Sequence, residues 1–518
     1  MKYLTNSQYD FEKLIRGGYL YVDKTEYVWK MVQTPFEAFF FSRPRRFGKS
    51  LLVSTLKAVF EGKKELFQGL ALYDKPYDWK KYPVIHLDLG SCQSDTAEKL
   101  EKKLQNSLAN IASKLGLFVR GEDASSQFSN LIFDASKNAP VVVLIDEYDK
   151  PILGNLVDKE GVHDILRKLK EFYSVIKTSS SLLRFVFLTG VSKFSHVSVF
   201  SDLKNLTDIT MDARYATMLG YTQEEFERDF AEQIAQTEAS QTLPHDEYLG
   251  KIKRWYDGFC FEENSESVYN PVSLASFFLN FGKFSNYWFA TGTTSFLLEL
   301  VKRQNFDFEK LLKEPVTEIA FSEYEVDNLQ VLPLLLQTGY LTIRSAKRLD
   351  EQTLFYLDFP NLEVKSAFET YLLNAYMGIE AGTIKGEFIK LKDFVKKGDV
   401  DGFMNCLQSL FASIPYSIQI RDEKYYQTIF FQIFQFLGID TTAEAQTNNG
   451  RIDAVVSCGD WVYIFEFKLD KSAEIAFEQI KDRQYYQKYQ FIGKKIVLVG
   501  ANFDFEKRQL CNWKSLVL

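Results

Sequence analysis

Near the C-terminal end of the chain, Gly450-Arg451-Ile452-Asp453 is followed by Glu466-Phe467-Lys468. An Asp closing one strand, then Glu-x-Lys on a second strand after a turn, is what metal-dependent phosphodiester cleavage requires. The two carboxylates hold a divalent cation, and the Lys polarises the attacking water or the phosphate. Far upstream, Arg43-Pro44-Arg45-Arg46-Phe47-Gly48-Lys49-Ser50 has the make-up of a phosphate-binding loop. Such a loop needs inward-pointing backbone N–H groups, a helix N-terminus beneath them, a Lys for phosphate oxygens and a hydroxyl for Mg²⁺. Gly48, Lys49 and Ser50 stand at the junction of an expected strand and helix. Arg43 occupies the place where the general pattern G-x-x-x-x-G-K-[ST] has glycine. An arginine resists positive φ, so the loop must enter by another backbone route.

A second element strengthens the nucleotide reading. Val141 to Ile145 is an apolar strand that ends in Asp146 and Glu147. Asp at such a place supports Mg²⁺, and the adjacent Glu can orient the hydrolytic water. The cofactor-binding set is therefore Arg45, Arg46, Phe47, Gly48, Lys49, Ser50, Leu51, Asp146 and Thr189, with Ser50 and Asp146 on the metal and Glu147 catalytic. Thr189, ending the strand Phe185 to Leu188, is either a polar sensor of the γ-phosphate or a turn cap. Lys193 and Arg254 are charge-neutralising candidates or surface charges.

In the C-terminal set, the bland reading puts Asp453 and Glu466 on the solvent face of a hairpin with Lys468 as a cross-strand partner. Against it, Glu466 interrupts an apolar strand (Tyr463, Ile464, Phe465, Phe467), and Glu and Lys at i and i+2 share one face. Burying two carboxylates and an ammonium in a small core is costly unless a metal or phosphate completes the cluster. Asp453, Glu466 and Lys468 are the catalytic candidates, with Asp453, Glu466 and a carbonyl near Phe467 holding Mg²⁺, or alternatively Mn²⁺. Glu423 is a supporting residue and Glu444, just before the first strand, a further acidic candidate.

The elements that must position these groups follow from periodicity. Phe36 to Phe41, Val84 to Leu89, Val141 to Ile145 and Phe185 to Leu188 read as strands, and Ser50 to Phe60 has helical spacing. Strands alternating with helices imply an α/β domain with a parallel sheet. From about 221 the pattern is helical, opening on a capping box at Thr222-Gln223-Glu224-Glu225. A Leu-rich stretch to about 415 reads as a helical connector. The last segment reads as helix (Tyr425 to Leu437), strands (Arg451 to Ser457, Trp461 to Phe467), helix (Ala473 to Tyr489) and strand (Lys495 to Gly500). The expected division is an ATPase domain over 1–220, a helical lid or connector over 221–415 and a nuclease-like α/β domain over 416–518.

Several stretches resemble one family: Tyr21-Val22-Asp23-Lys24-Thr25, Ser42 to Leu51, Leu144 to Asp149, Thr189 to Ser195, Trp255 to Phe259 and Tyr287 to Gly292. They are similar to the bacterial AAA-ATPase-like proteins that carry a C-terminal PD-(D/E)XK nuclease domain. The Arg-Pro-Arg-Arg-Phe-Gly-Lys-Ser form agrees with that family's own version of the loop. The resemblance implies a P-loop ATPase fold in front, a restriction-endonuclease-like fold behind, ATP binding and a nuclease. Gln479, Tyr485 and Tyr486 look like the Gln/Tyr element that some nucleases of this superfamily place beside the site.

Bulk properties narrow the partners. The chain has 518 residues, 46% of them apolar and 25% charged, with 46 Phe and 28 Tyr. No apolar run approaches the roughly 20 residues needed to span a bilayer, and the first residues lack the apolar core of a signal peptide, so a cytoplasmic location is expected. Five Cys without a C-x-x-C pair and four dispersed His argue for an oxygen-ligated metal. The net charge is −7, and residues 419–518 hold 13 Lys plus Arg against 13 Asp plus Glu, so no basic surface advertises nucleic acid. The expected activity is an ATPase coupled to a Mg²⁺-dependent DNA nuclease, with ATP and DNA as partners, no membrane, and a homo-oligomer allowed. The alternative is an ATP-controlled switch whose C-terminal module binds nucleic acid or protein without cutting.

Overall fold

In the first unit, the runs rich in Val, Phe and Ile become the strands of one sheet. These are β1 (Glu37–Ser42), β2 (Val84–Asp88), β3 (Val141–Asp146), β4 (Leu183–Gly190) and the two-residue β5 (Thr207–Asp208). All pair in parallel, in the order β2-β3-β4-β1-β5. Every residue of β3 is buried, as expected of a strand covered on both faces. The crossovers that parallel pairing demands are helices, among them Lys49–Phe60, Ala97–Lys114, Ala124–Ser136 and Lys159–Thr178. Ala97–Lys114 buries Leu100, Leu104, Leu108 and Ala112, one apolar row at i, i+4, and starts where the Thr96 side chain accepts from Lys99 N–H. Because β4 lies between β1 and β3, the C-terminal ends of three neighbouring strands deliver the glycine-lysine loop, Thr189 and Asp146 to one edge. Ligands of open α/β sheets bind there.

The structure is a computed structural model that describes residues 2–34, 37–92, 94–156, 159–193, 206–288, 297, 300–301, 314–321, 330–377, 381–414, 423–437, 439–447, 450–507 and 509–518. It divides into two units: Met1–Leu297 with Leu311–Lys365, and Leu298–Lys310 with Ser366–Leu518. None of the described helices is long and apolar enough to cross a membrane.

Following the first sheet in the chain, helices Gln223–Asp229, Ala231–Glu238, His245–Tyr256 and Pro271–Leu279 enclose an aromatic core that includes Phe226, Tyr256, Tyr269 and Phe277. The capping box at Thr222 and Glu225 is present. The mixed, Leu-rich stretch expected to be a helical connector also contains an antiparallel hairpin, β6 (Thr342–Leu349) and β7 (Gln352–Asp358). Asp350, at φ 53°, makes its tight turn. Most of β6 is solvent-exposed, so its polar residues Arg344, Ser345, Lys347 and Arg348 carry no apolar alternation to announce a strand.

In the second unit, β8 (Asp440–Thr447), β9 (Gly450–Cys458), β10 (Trp461–Leu469), β11 (Lys495–Asp504) and β12 (Gln509–Val517) form a mixed sheet in the order β12-β11-β10-β9-β8. Only β10 and β11 are parallel. Helix Ala473–Asp482 crosses between them, packing Phe477 and Ile480 on Ile452, Val462, Ile464 and Leu498. On the other face Phe403 meets Tyr463 and Phe465, and Phe430 meets Phe465 and Phe467. The helix expected to run to Tyr489 ends earlier. Gln484 turns left-handed (φ 51°) and a short 3₁₀ segment, Tyr485–Tyr489, follows.

Candidate functional site

The phosphate loop hangs between β1 and helix Lys49–Phe60. Its left-handed residues are Arg46 (φ 68°) and Gly48 (φ 93°); Arg43 is not among them. Arg43 is instead a buried brace, 1% exposed. Its guanidinium lies between the rings of Phe41 (4.3 Å) and Phe261 (4.1 Å). It donates to the carbonyls of Ser42 (3.0 Å), Thr210 (2.6 Å), Tyr215 and Ala216 (both 3.4 Å). Phe47 is buried edge-on against Phe259 (4.8 Å) and Phe261 (5.4 Å), so only its backbone remains for a ligand. Arg46 is exposed, while Arg45, Gly48, Ser50 and Leu51 are half-buried.

Lys49 is buried and donates to the carbonyls of Arg43 and Pro44 (both 2.9 Å). Burial pulls its ammonium below the ordinary lysine range, against the fields of Asp146, Glu147 and Asp149. Asp146, buried at the end of β3, is pushed up to about 6 by burial, while Ser50 and Lys49 favour its charge. Glu147 adopts φ 51°, an uncommon conformation for a glutamate that clusters at functional sites. Thr189 is fully buried and its hydroxyl has no hydrogen-bond partner. Lys193 is committed to Asp208 at 2.5 Å, and Arg254 is a surface charge. The hydroxyl and carboxylate oxygens of Ser50 and Asp146 fit a hard cation such as Mg²⁺.

The second cluster is on β9 and β10. Pairing of Phe465 with Ala454 brings Asp453 level with Glu466, one step further along. Asp453 Oδ2 accepts from Phe467 N–H at 2.7 Å, and Lys468 Nζ donates to Glu466 Oε1 at 2.8 Å. Gln479 Nε2 donates to the same oxygen from helix Ala473–Asp482. Glu423 Oε2 accepts from Leu469 N–H at 3.1 Å. Glu466 is 1% exposed, and its Oε2 has no partner.

The protonation pattern follows from that burial. Desolvation and then the neighbouring Asp453 push Glu466 up to about 7. Desolvation likewise raises Asp453 to about 6, against the Phe467 N–H bond and Lys468. Burial works against the Lys468 charge, but its bond to Glu466 and the surrounding carboxylates outweigh it and raise its pKa. Two carboxylates this reluctant to ionise, one with an orphaned oxygen, fit a divalent cation. Mg²⁺ typically takes only one or two protein carboxylates. Among the described residues no group of three or more His, Cys, Asp or Glu is arranged to hold an ion. Glu444 lies within β8 rather than before the first strand, and its side chain is outside the described residues.

Residues 7–200 match the family model AAA-ATPase_like, described as a predicted AAA-ATPase. Residues 421–513 match that of the PD-(D/E)XK nuclease superfamily. The "Uncharacterized protein in vnfD 5'region" of Azotobacter chroococcum mcd 1 is 37% identical over 511 residues, 96% of each chain. The chain belongs to this AAA-ATPase-like family. Among solved structures, the ORC2 protein of Aeropyrum pernix (ADPNP–ADP complexes) matches 69% of this chain and 91% of its own, at 13% identity and a TM-score of 0.18.

Within this AAA-ATPase-like chain, residue types and spacing overlooked two carboxylates. Asp88 ends β2 in register with Asp146, and a Cβ on Gly90 would meet both Asp88 Oδ1 and Glu147 Oε2 at 2.9 Å. The signal was present, since an Asp closes Val84–Asp88 as Asp146 closes β3. Asp149 is buried and its Oδ2 accepts from Val191 N–H (2.9 Å), Ser192 N–H (2.7 Å) and Ser192 Oγ (2.6 Å), tying the end of β4 to the turn after β3. Of the stretches that carry the resemblance, 194–195 and 289–292 fall outside the described residues. Gln479 does stand beside Glu466. Tyr485 packs under Gly450, where an added Cβ would sit 3.1 Å from its hydroxyl.

Proposed function

We propose that this protein hydrolyses ATP with Mg²⁺ at the loop Arg45–Leu51 and couples that step to Mg²⁺-dependent cleavage of DNA at Asp453, Glu466 and Lys468. In this reading 1–220 is the ATPase domain, 221–415 the lid or connector and 416–518 the nuclease domain. Lys49 and the loop N–H groups bind the phosphates, Ser50 and Asp146 hold the metal, and Glu147 orients the water. Thr189 senses the γ-phosphate. At the second site Asp453 and Glu466 hold a divalent ion, which when bound supplies Lewis-acid stabilisation of the phosphoryl charge. Lys468 positions the water for in-line attack. Gln479 and Lys468, both on Oε1, fix the Glu466 carboxylate so that Oε2 points away from protein partners.

The observation that carries the nuclease half is the Glu466 carboxylate, nearly sealed in the core with one oxygen unpaired. A polar side chain is costly in such a place unless a ligand completes it. The test is cleavage of plasmid and single-stranded DNA by the full chain with Mg²⁺ or Mn²⁺, with and without ATP. Loss of cleavage in Glu466→Ala supports the reading; no cleavage by the native protein and no change in the variant defeat it. The balanced charge of residues 419–518 favours one alternative, an ATP-controlled switch whose C-terminal module binds without cutting. That outcome would appear as ATP-dependent retention of DNA without product.

A further inference from the structure

The Tyr287-Trp288 pair has no place in the chemistry described so far, yet Trp288 reaches the phosphate loop directly. Its indole N–H donates to the carbonyl of Arg45 at 3.1 Å. Its ring meets Phe259 edge-on at 6.4 Å, and Phe259 in turn packs on Phe47 of the loop. Trp288 is buried and also packs edge-on against Tyr340 at 5.3 Å. The loop is thus gripped at Arg45 by a hydrogen bond and at Phe47 by an aromatic contact.

Trp288 is itself fastened by a carboxylate. Its backbone N–H donates to Glu363 Oε1 at 2.8 Å, and Ser273 Oγ donates to Glu363 Oε2 at 2.7 Å. Glu363 and Ser273 are both fully buried. Ser273 lies in the first turn of helix Pro271–Leu279, where Asn270 Oδ1 caps the N–H groups of Val272 and Ser273. Three stretches distant in sequence, 270–273, 287–288 and 361–363, are therefore pinned at one buried carboxylate. Burying such a group is costly, and here it holds in place the side chain that holds the loop.

We infer that Trp288 is a positioning residue for ATP, bracing the Arg45 peptide so that the N–H groups of Arg46 to Ser50 stay in a phosphate-binding arrangement, with Glu363 as its anchor. The inference rests on the reading that this loop binds ATP. It extends the nucleotide site to a residue that is not expected to touch the nucleotide.

Trp288→Phe keeps one aromatic ring at the position but removes the pyrrole ring with its N–H, so the bond to Arg45 is lost and a small gap is left, whose cost appears in the melting temperature. Loss of one such bond should weaken Mg·ATP binding to the full chain roughly 2- to 12-fold, measured by isothermal titration calorimetry. Glu363→Gln keeps the shape of the anchor and should weaken binding in the same direction, by about 2-fold. It decides the matter if Trp288→Phe does not fold. The nucleotide-free melting temperature is read alongside, because a merely structural role would lower it without changing affinity. Native affinity in a folded Trp288→Phe protein, or in Glu363→Gln where only that variant folds, overturns the inference whatever the melting curves do. Absence of Mg·ATP binding by the native chain would instead remove the nucleotide reading itself.

Discussion

Glu466→Gln should stabilise the metal-free protein while abolishing cleavage. In the native chain burial raises the Glu466 carboxyl from 4.5 to about 7. Above pH 4.5 the unfolded chain releases this proton while the folded one retains it up to about pH 7. The folded state therefore loses stability as pH rises through that window, and the loss is complete above it. At about 1.4 kcal/mol for each tenfold change in proton affinity, the full cost is roughly 3 kcal/mol. Glutamine mimics the neutral acid and avoids this cost, including the part that the neighbouring Asp453 charge imposes on Glu466. Urea unfolding followed by circular dichroism, with chelator present, should show the variant more stable by roughly 3 kcal/mol at pH 8. The gap should close as pH falls to 4.5. Adding Mg²⁺ should stabilise the native protein and leave the variant unmoved. Equal stability at pH 8, or a gap independent of pH, would refute the claim that this carboxylate is held in the core against its own desolvation.

Three further outcomes follow from the geometry. Lys49→Ala should reduce ATP turnover to background in a phosphate-release assay; unchanged turnover would remove Lys49 from the site. Asp149→Ala strips the acceptor from three buried donors and should cost on the order of 3 kcal/mol in thermal or urea unfolding. Gly500 pairs with Glu466 in the sheet, and a Cβ there would lie 2.4 Å from Phe477 N and 2.7 Å from Ala473 O. Gly500→Ala should therefore push helix Ala473–Asp482 outward, cost about 1–3 kcal/mol and lower cleavage by drawing Gln479 away from Glu466.

What could be read from residue order depended on how deeply each element is buried. β1, β3, β4 and β10 are mostly apolar runs, and each is evident along with the polar group that ends or interrupts it. The edge strands β8 and β12 are not. Asp440-Thr441-Thr442-Ala443-Glu444-Ala445 has little apolar signal, and the second half of β12 is almost wholly exposed. Edge strands present one side to water and take polar residues to avoid unwanted pairing. The candidate carboxylates Asp146, Asp453 and Glu466 were legible because each breaks or closes an apolar run. Asp88 has the same signature, but no motif beside it distinguishes it from an ordinary polar residue at a strand end. The grip of Trp288 on Arg45 spans 243 positions, and no local pattern encodes a partner so distant.

Arg43 bears on how the loop would be found and counted elsewhere. A search pattern that demands glycine at the head of the loop would pass over this chain, because the left-handed turn sits at Arg46 and Gly48 instead. Arginines 43, 45 and 46 look interchangeable as phosphate ligands on the printed sequence. The guanidinium of the first is spent on four backbone carbonyls and two aromatic faces. Of the three, Arg43 is thus part of the wall that holds the loop and not a candidate to meet a phosphate.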